Sequence, residues 1–528
     1  MKDQKINQWG WIIVGIFALA LEIFLIFYTY WHRHYLVPPG NDVITHYGII
    51  QNILETGKIN FGLYPPGFHL IVIALSRLFH QSIWTILASW TPVLIVLPAL
   101  AMFFLLRQLF SLRVSILTSA ILLLTSGYPL YAFVDGNYPD MLAYGVFGVL
   151  LFAFLIRFYR TGKYLNLIWS GIFLLLIAFT HSLTFFNIFG ILLIFGLWQF
   201  YQSLHKSKIQ LEKKIFLGFG AILLIAAIGY LLASRLYGST ALQFISGVFH
   251  NQPFLKNTYL NTILNYEEYP RFNGSLIWYF GLAGFFYILI ASFAKKEKSK
   301  SKQLIIVWLL FLYLLSRLSV SGFPGRFVRE LALPLTVSTA FLFDYLIERN
   351  LNRQRLGQIL AFGLIGYLII INSALYTGLD KIPNGFIDQI WYWPVDQQKV
   401  DFLSQNIPKN QIVLYNPNAN LFFPVKSTNN LMSFELATEQ MQVANAYLND
   451  PEKSFNKTQY NQLVNNLKER YQNVDYIFDD VKPPGNTEGA VYPAYAHYQE
   501  NKIVLEGLAS SGKVIKTFPD SATIYRMK

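Results

Sequence analysis

The sequence predicts an α-helical polytopic membrane protein with a small extracytoplasmic α/β domain at its C-terminal end. Three observations carry that reading. Long apolar runs recur from Trp9 to Tyr376, and helices of about 20 apolar residues are what a bilayer core requires. Of 528 residues, 54% are hydrophobic and 13% charged, about half the ionic share of a soluble domain. From Lys381 onward polar residues dominate and the apolar runs shrink, so the chain changes solvent there.

The elements follow in order. Residues 9–31 form the first span, and no small-residue cleavage site follows it, so it is expected to be a retained helix and not a removed signal peptide. Lys2 and Lys5 place the N-terminus in the cytoplasm. Further spans are expected at 83–106, 114–131, 141–156, 164–180, 183–201, 215–233, 275–293, 304–318, 327–347 and 359–376. Basic connectors lie between them, with Arg107 and Arg113, then Arg157, Arg160 and Lys163, then Lys206, Lys208, Lys213 and Lys214, then the lysine-rich 295–302 and the arginines of 349–355. A further span at 68–79 would turn every later basic connector outward. That segment is short, opens on Pro65-Pro66 and carries Arg77 and His80, so it is expected to lie at the outer interface. The parse gives about eleven transmembrane helices, N-terminus in and C-terminus out.

The organisation is then a membrane domain over 1–380 and an outer domain over 381–528. Within the outer domain 395–407 and 457–471 have helical spacing, and 412–415, 474–478, 513–518 and 522–526 read as short strands. No internal repeat is visible. The formal charge of +13 sits in the connectors, where it orients the chain in a bilayer and does not indicate a nucleic-acid partner. Cysteine is absent, which excludes disulfides, thiolate metal sites and cysteine nucleophiles.

Candidate chemistry gathers at the outer helix ends. Asp42 follows the first span in Pro38-Pro39-Gly40-Asn41-Asp42, with His46 four residues on and so on the same helical face. Asn41 or Asp42 is also a favoured helix cap, and capping does not exclude catalysis. An Asp–His pair supplies too few ligands for a metal site. Asp135 and Asp140 lie in the outer turn Val134-Asp135-Gly136-Asn137-Tyr138-Pro139-Asp140, where turn formation or capping of the next helix is the plainer role. Arg326, Arg329 and Glu330 join two late helices at the same face. Arginines against the positive-inside trend need a carboxylate or a lipid phosphate, an Arg329–Glu330 or other structural ion pair being the plainer option. His69 and His181 stand near outer helix ends, where a lone histidine is more often structural.

Together these pieces resemble the GT-C superfamily of integral-membrane glycosyltransferases that use polyprenyl-phosphate sugars, which includes protein O-mannosyltransferases and lipid A aminoarabinose transferases. The matching features are Asp42 soon after the first helix, Pro65-Pro66-Gly67-Phe68-His69 opening the interfacial helix, Asp140-Met141-Leu142-Ala143, and Arg326-Phe327 followed by Leu333-Pro334-Leu335. Many relatives have adjacent acidic residues in the first loop and a Pro-Pro-Leu, whereas here Asn41 precedes Asp42 and the helix opens Pro-Pro-Gly-Phe-His. The resemblance implies transfer of a sugar from a polyprenyl-phosphate donor to an envelope glycan, lipid or protein, with inversion. It makes Asp42 the catalytic base and Asp140 a residue that orients the acceptor or the base, and it makes His46, His69, Asp135, Arg326 and Arg329 substrate-binding residues. No metal ligand cluster is indicated. The rival classes are a transporter or flippase, which predicts repeat symmetry and charges deep in the helices, and a scaffold, in which Asp42, Asp140 and Arg326 are replaceable.

Overall fold

The computed structural model describes residues 2–33, 42–59, 64–125, 127–204, 263–294, 299–318, 324–348, 394–416, 429–434, 436–480 and 498–527, with scattered helical positions between 220 and 235 and between 363 and 370. The spans expected at 215–233 and 359–376 lie largely outside the described residues, as do the segments 34–41, 238–262 and 319–323. The chain divides into two units, one of residues 1–29 with 46–379 and one of 30–45 with 380–528.

In the first unit, six helices among the described residues are long and apolar enough to cross a membrane. They are Trp9–Phe27, Ile83–Leu106, Tyr138–Thr161, Ser182–Gln202, Ser275–Ser292 and Pro324–Ile347. Gly67–Phe79, Leu112–Leu123 and Tyr164–Thr180 are shorter apolar helices. Large side chains such as Leu197, Phe286 and Ile290 point outward and stay exposed, as lipid-facing positions do where no water must be excluded. One pair packs closely, Ser275–Ala294 against Ala332–Phe343. A Cβ at Gly284 would lie 1.9 Å from the Ser338 carbonyl oxygen, so only glycine permits that approach.

Two boundaries differ from the sequence expectation. The helix read as 114–131 ends at Leu123, about 18 Å after it starts. The apolar run continues through a turn with a cis Tyr128–Pro129 bond into the short helix Leu130–Val134. The long helix Tyr138–Thr161 follows, and its Met141–Gly148 stretch is π-helical, a widening that recurs at functional sites. Asp140 is therefore inside the first turn and makes no side-chain capping bond, which replaces the capping role with another.

The second unit carries a five-stranded sheet of β1 (Ile412–Tyr415), β2 (Asn430–Ser433), β3 (Tyr476–Asp479), β4 (Lys513–Thr517) and β5 (Thr523–Arg526). Their spatial order is β2-β1-β3-β5-β4. The first three are parallel and the last two antiparallel to their neighbours. Helix Ser454–Arg470 buries Tyr460, Leu463, Val464 and Leu467, one face at i, i+3, i+4 and i+7. Helix Tyr498–Ala509 does the same with Val504, Leu505 and Leu508. Strand β2 and the helices Thr438–Asn449 and Tyr498–Ala509 were not expected from the sequence. β2 exposes three of its four residues, so it carries almost no buried apolar signal, and both helices are rich in polar residues.

A buried lysine ties this unit together. Lys399 Nζ reaches Asp396 at 2.9 Å, Asp480 at 2.5 Å and Asp520 at 2.6 Å. Those carboxylates are the group among the described residues whose spacing suits a metal ion, and the ammonium supplies the cation. Burial opposes its charge, but Asp480 and Asp396 outweigh that and raise its pKa above the ordinary lysine value. The stabilisation is therefore complete below the unfolded lysine pKa of about 10.4 and is lost only as pH rises through the higher folded value. Lys399→Met is expected to destabilise this unit by about 3–5 kcal/mol, because it leaves buried carboxylates uncompensated. Hydrogen exchange across residues 394–527 at neutral pH measures that loss.

Candidate active site

Helix geometry aims one set of side chains inward. Arg326, Arg329 and Glu330 share a face of Pro324–Glu330 by their i, i+3, i+4 spacing. Thr184 and Asn187 share a face of Ser182–Leu204 in the same way. Asp135 and Asp140 come from the turn and helix start facing them. Asp140, Arg329 and Glu330 are 0% exposed, Arg326 6% and Asp135 8%.

The turn is shaped by its glycine. Gly136 has φ +78°, which a residue with a Cβ adopts only under strain. Its amide bonds the Phe133 carbonyl while Asn137 N–H bonds that of Ala132, the double closure that ends a helix in a Schellman motif. Asn137 Nδ2 then donates to Asp135 Oδ2 at 2.6 Å. Asn137 O accepts from Met141 N–H, so the next helix starts immediately and holds Asp140 one turn beyond Asp135.

Charge is shared across the cluster. Arg326 Nη2 lies 3.0 Å from Asp140 Oδ1, and its Nε 3.3 Å from Glu330 Oε1. Arg329 Nη1 donates to Asp135 Oδ2 at 2.9 Å, with Nη2 3.6 Å from Asp140 Oδ2. Asn187 Nδ2 holds the other Glu330 oxygen at 2.9 Å. Trp308 Nε1 donates to Tyr144 Oη at 3.0 Å, and Tyr144 donates to the Glu330 carbonyl at 2.8 Å. Arg326 Nη2 also meets His181 Nε2 at 3.1 Å. Guanidinium only donates, so the His181 proton sits on Nδ1, 2.9 Å from Thr184 Oγ1, which donates to Asp140 Oδ1 at 2.7 Å. The Thr184 amide also lies 3.2 Å from His181 Nδ1, a contact that suits the other tautomer. The arginine decides between them. Three carboxylates and two guanidiniums buried together cost desolvation that well-packed apolar side chains would avoid, so such a cluster points to chemistry.

His46 and His69 form a second, adjoining group. His46 Nε2 donates to the Gly136 carbonyl at 3.2 Å, and its Nδ1 lies 3.2 Å from His69 Nε2. Tyr64, Phe68 and Tyr138 surround the His46 ring at 4.8, 5.4 and 6.1 Å between centroids. Burial, then the neighbouring His69, holds the His46 pKa well below the ordinary imidazole value. Both ring nitrogens of His46 thus face protein, and the residue braces the turn between Asp135 and Asp140. Asp42 is half-buried at the first residue of the helix Asp42–Thr56, one turn before His46.

Of the residues singled out in the sequence, Asp135, Asp140, Arg326 and Arg329 come together in one cluster, and His46 with His69 adjoins it through Gly136. Glu330 pairs with Arg326 and not with Arg329. Asn187 and Thr184 were missed, and His181 was read only as a helix-end residue. The signal was present as polar residues at 180–182, 184 and 187 inside an otherwise apolar run, where intramembrane polarity is costly.

Fold and site together define a class: this is a multi-pass membrane protein with the GT-C fold. Three solved structures illustrate it. The archaeal oligosaccharyltransferase AglB from Archaeoglobus fulgidus, in complex with an inhibitory peptide and a dolichol-phosphate, superposes with TM-score 0.59 at 13% identity, over 99% of this chain and 74% of that one. An Archaeoglobus fulgidus oligosaccharyltransferase tethered to an acceptor peptide containing the NVT sequon gives TM-score 0.56 at 14% identity, over 98% of this chain and 74% of that one. ArnT from Cupriavidus metallidurans bound to undecaprenyl phosphate gives TM-score 0.58 at 12% identity, over 98% of each chain. By sequence alone, no family model and no curated protein matches.

Proposed function

We propose that this chain is a membrane glycosyltransferase that moves a sugar from a polyprenyl-phosphate donor to an envelope glycan, lipid or protein at the outer face of the membrane. The observation that carries the reading is the buried Arg326–Arg329 pair interleaved with Asp135, Asp140 and Glu330 in a chain of GT-C fold. A fold alone hosts many functions. Paired arginines buried among helix ends suit a lipid phosphate by charge and by their planar donor fork. Solved proteins of this fold hold dolichol-phosphate and undecaprenyl phosphate, which supports the same ligand class here.

The chemistry follows from those groups. The acceptor hydroxyl attacks the anomeric carbon, the bond from that carbon to the phosphate oxygen breaks, and the phosphate leaves with the electron pair. A phosphate is a good leaving group, so no strong general acid is required. Inversion needs one carboxylate to take the hydroxyl proton on the opposite face, and Asp42 has that role, with Asp140 orienting the acceptor. Arg326 and Arg329 stabilise the charge gained by the phosphate as it leaves. The outer domain contacts the acceptor.

Two tests separate the parts of this proposal. Mass spectrometry of envelope glycans from cells with and without the chain is expected to reveal a sugar that depends on it, and unchanged glycans would sink the assignment. The native chain has no cysteine, so orientation has a clean readout. In intact cells, Ser299→Cys is expected to resist an impermeant thiol reagent and Ser454→Cys to react. The opposite pattern would reverse the threading.

A further inference from the structure

The cluster also assigns the seat of the phosphate, on the reading of function just given. Glu330 holds Arg326 by its Nε, and Asp140 and His181 share its Nη2. Nη1 makes no hydrogen bond among the described residues, and Arg326 keeps 6% exposure where Asp140, Arg329 and Glu330 keep none. The Nη1–Nη2 edge of a guanidinium offers two parallel N–H donors, the geometry that a phosphate takes in bidentate fashion. Asp140 Oδ1 stands 3.0 Å from Nη2, one end of that edge, as an ion pair. Its other oxygen, Oδ2, is buried without a hydrogen-bond partner among the described residues, 3.6 Å from Arg329 Nη2. The edge is thus half open and half held by a carboxylate that is itself incompletely satisfied.

We infer that the carrier phosphate binds the Nη1–Nη2 edge of Arg326 by displacing Asp140 Oδ1, so that Asp140 is a built-in competitor for the phosphate seat. A carboxylate and a phosphate oxygen are both anionic acceptors, and one edge cannot serve both at full strength. Bidentate geometry favours the phosphate. The displaced carboxylate gives up the Thr184 hydroxyl as well as the arginine and is released toward the reacting groups only when donor is bound. After transfer, the carrier leaves as Asp140 returns to the arginine. Asp140 thereby links occupancy of the phosphate seat to the orientation of the site.

The competition predicts a gain where a plain binding residue predicts a loss. Asp140→Asn keeps the shape and the bond from Thr184 but removes the competing charge. It is expected to bind undecaprenyl phosphate in detergent micelles on the order of ten-fold more tightly than wild type, the factor corresponding to one charge-assisted hydrogen bond, while transferring sugar more slowly. Thr184→Val, which keeps every charge and loosens the hold on Asp140 Oδ1, is expected to tighten binding by a smaller factor and serves if Asp140→Asn does not fold. Unchanged or weaker binding by the folded variants, with wild type binding normally, overturns the competition alone. No binding by any of the proteins removes the functional reading as well. Inorganic phosphate provides the second arm: a gain with it but none with the lipid overturns the lipid headgroup as occupant.

Discussion

An Asp42→Asn variant is expected to fold, to bind the lipid carrier as the wild type does, and to transfer sugar on the order of a hundred- to ten-thousand-fold more slowly, the range that general-base catalysis supplies. Asp42 opens the helix Asp42–Thr56 and is half-buried there. Its charge favours the helix N-terminus by about 0.3–1 kcal/mol, and asparagine serves helix starts nearly as well as aspartate. Stability therefore changes little, whereas the proton-accepting oxygen is gone. Near-normal transfer by a well-expressed variant would make Asp42 a structural residue and move the base to Asp140 or Asp135.

Arg326 should yield the second large effect. Arg326→Ala removes the guanidinium that Asp140 and Glu330 share, leaving two buried carboxylates short of a partner at a cost of about 3–5 kcal/mol. Loss of thermal stability is thus expected along with weaker carrier binding and slower turnover. Arg326→Lys keeps the charge, so it should recover part of the stability. It lacks the planar fork that reaches Glu330, Asp140 and a phosphate at once, so affinity and rate should stay below wild type and above alanine. Binding and turnover equal to wild type in the lysine variant would show that charge alone suffices and that the fork has no role.

Much of the fold was legible because the bilayer constrains it. The apolar runs at 83–106 and 183–201 reappear as Ile83–Leu106 and Ser182–Gln202, since a helix in lipid must satisfy its own backbone and cover itself with apolar side chains. The run 114–131 was misjudged because hydropathy does not register a turn within an apolar stretch. In the second unit β1 stands at the limits its sequence predicts, as a buried apolar strand does. β2 and the helix Thr438–Asn449 were hidden by mostly polar, exposed residues.

The site was legible in its charges and not in its neutral partners. Asp135, Asp140, Arg326 and Arg329 stand out because ionised groups in an apolar chain are costly and therefore few. Asn187 and Thr184 do not announce themselves, since amides and hydroxyls also occur in helices as backbone-bonded residues. Thr336, for one, bonds the Ala332 carbonyl of its own helix. Pairing was harder still. Of the ion pairs open to Arg329, the one with adjacent Glu330 does not form, because consecutive residues on a helix point about 100° apart: Arg329 reaches Asp135 while Glu330 turns to Arg326, four residues before it.

Direct titration of the purified wild-type protein and its Arg326→Ala variant with undecaprenyl phosphate tests the central claim. Saturable binding by wild type, markedly weakened in a variant shown by thermal unfolding to be folded at the assay temperature, is the predicted result. Equal affinity would take Arg326 out of the site, and absence of any polyprenyl-phosphate binding by the wild type would contradict the account and favour a transporter.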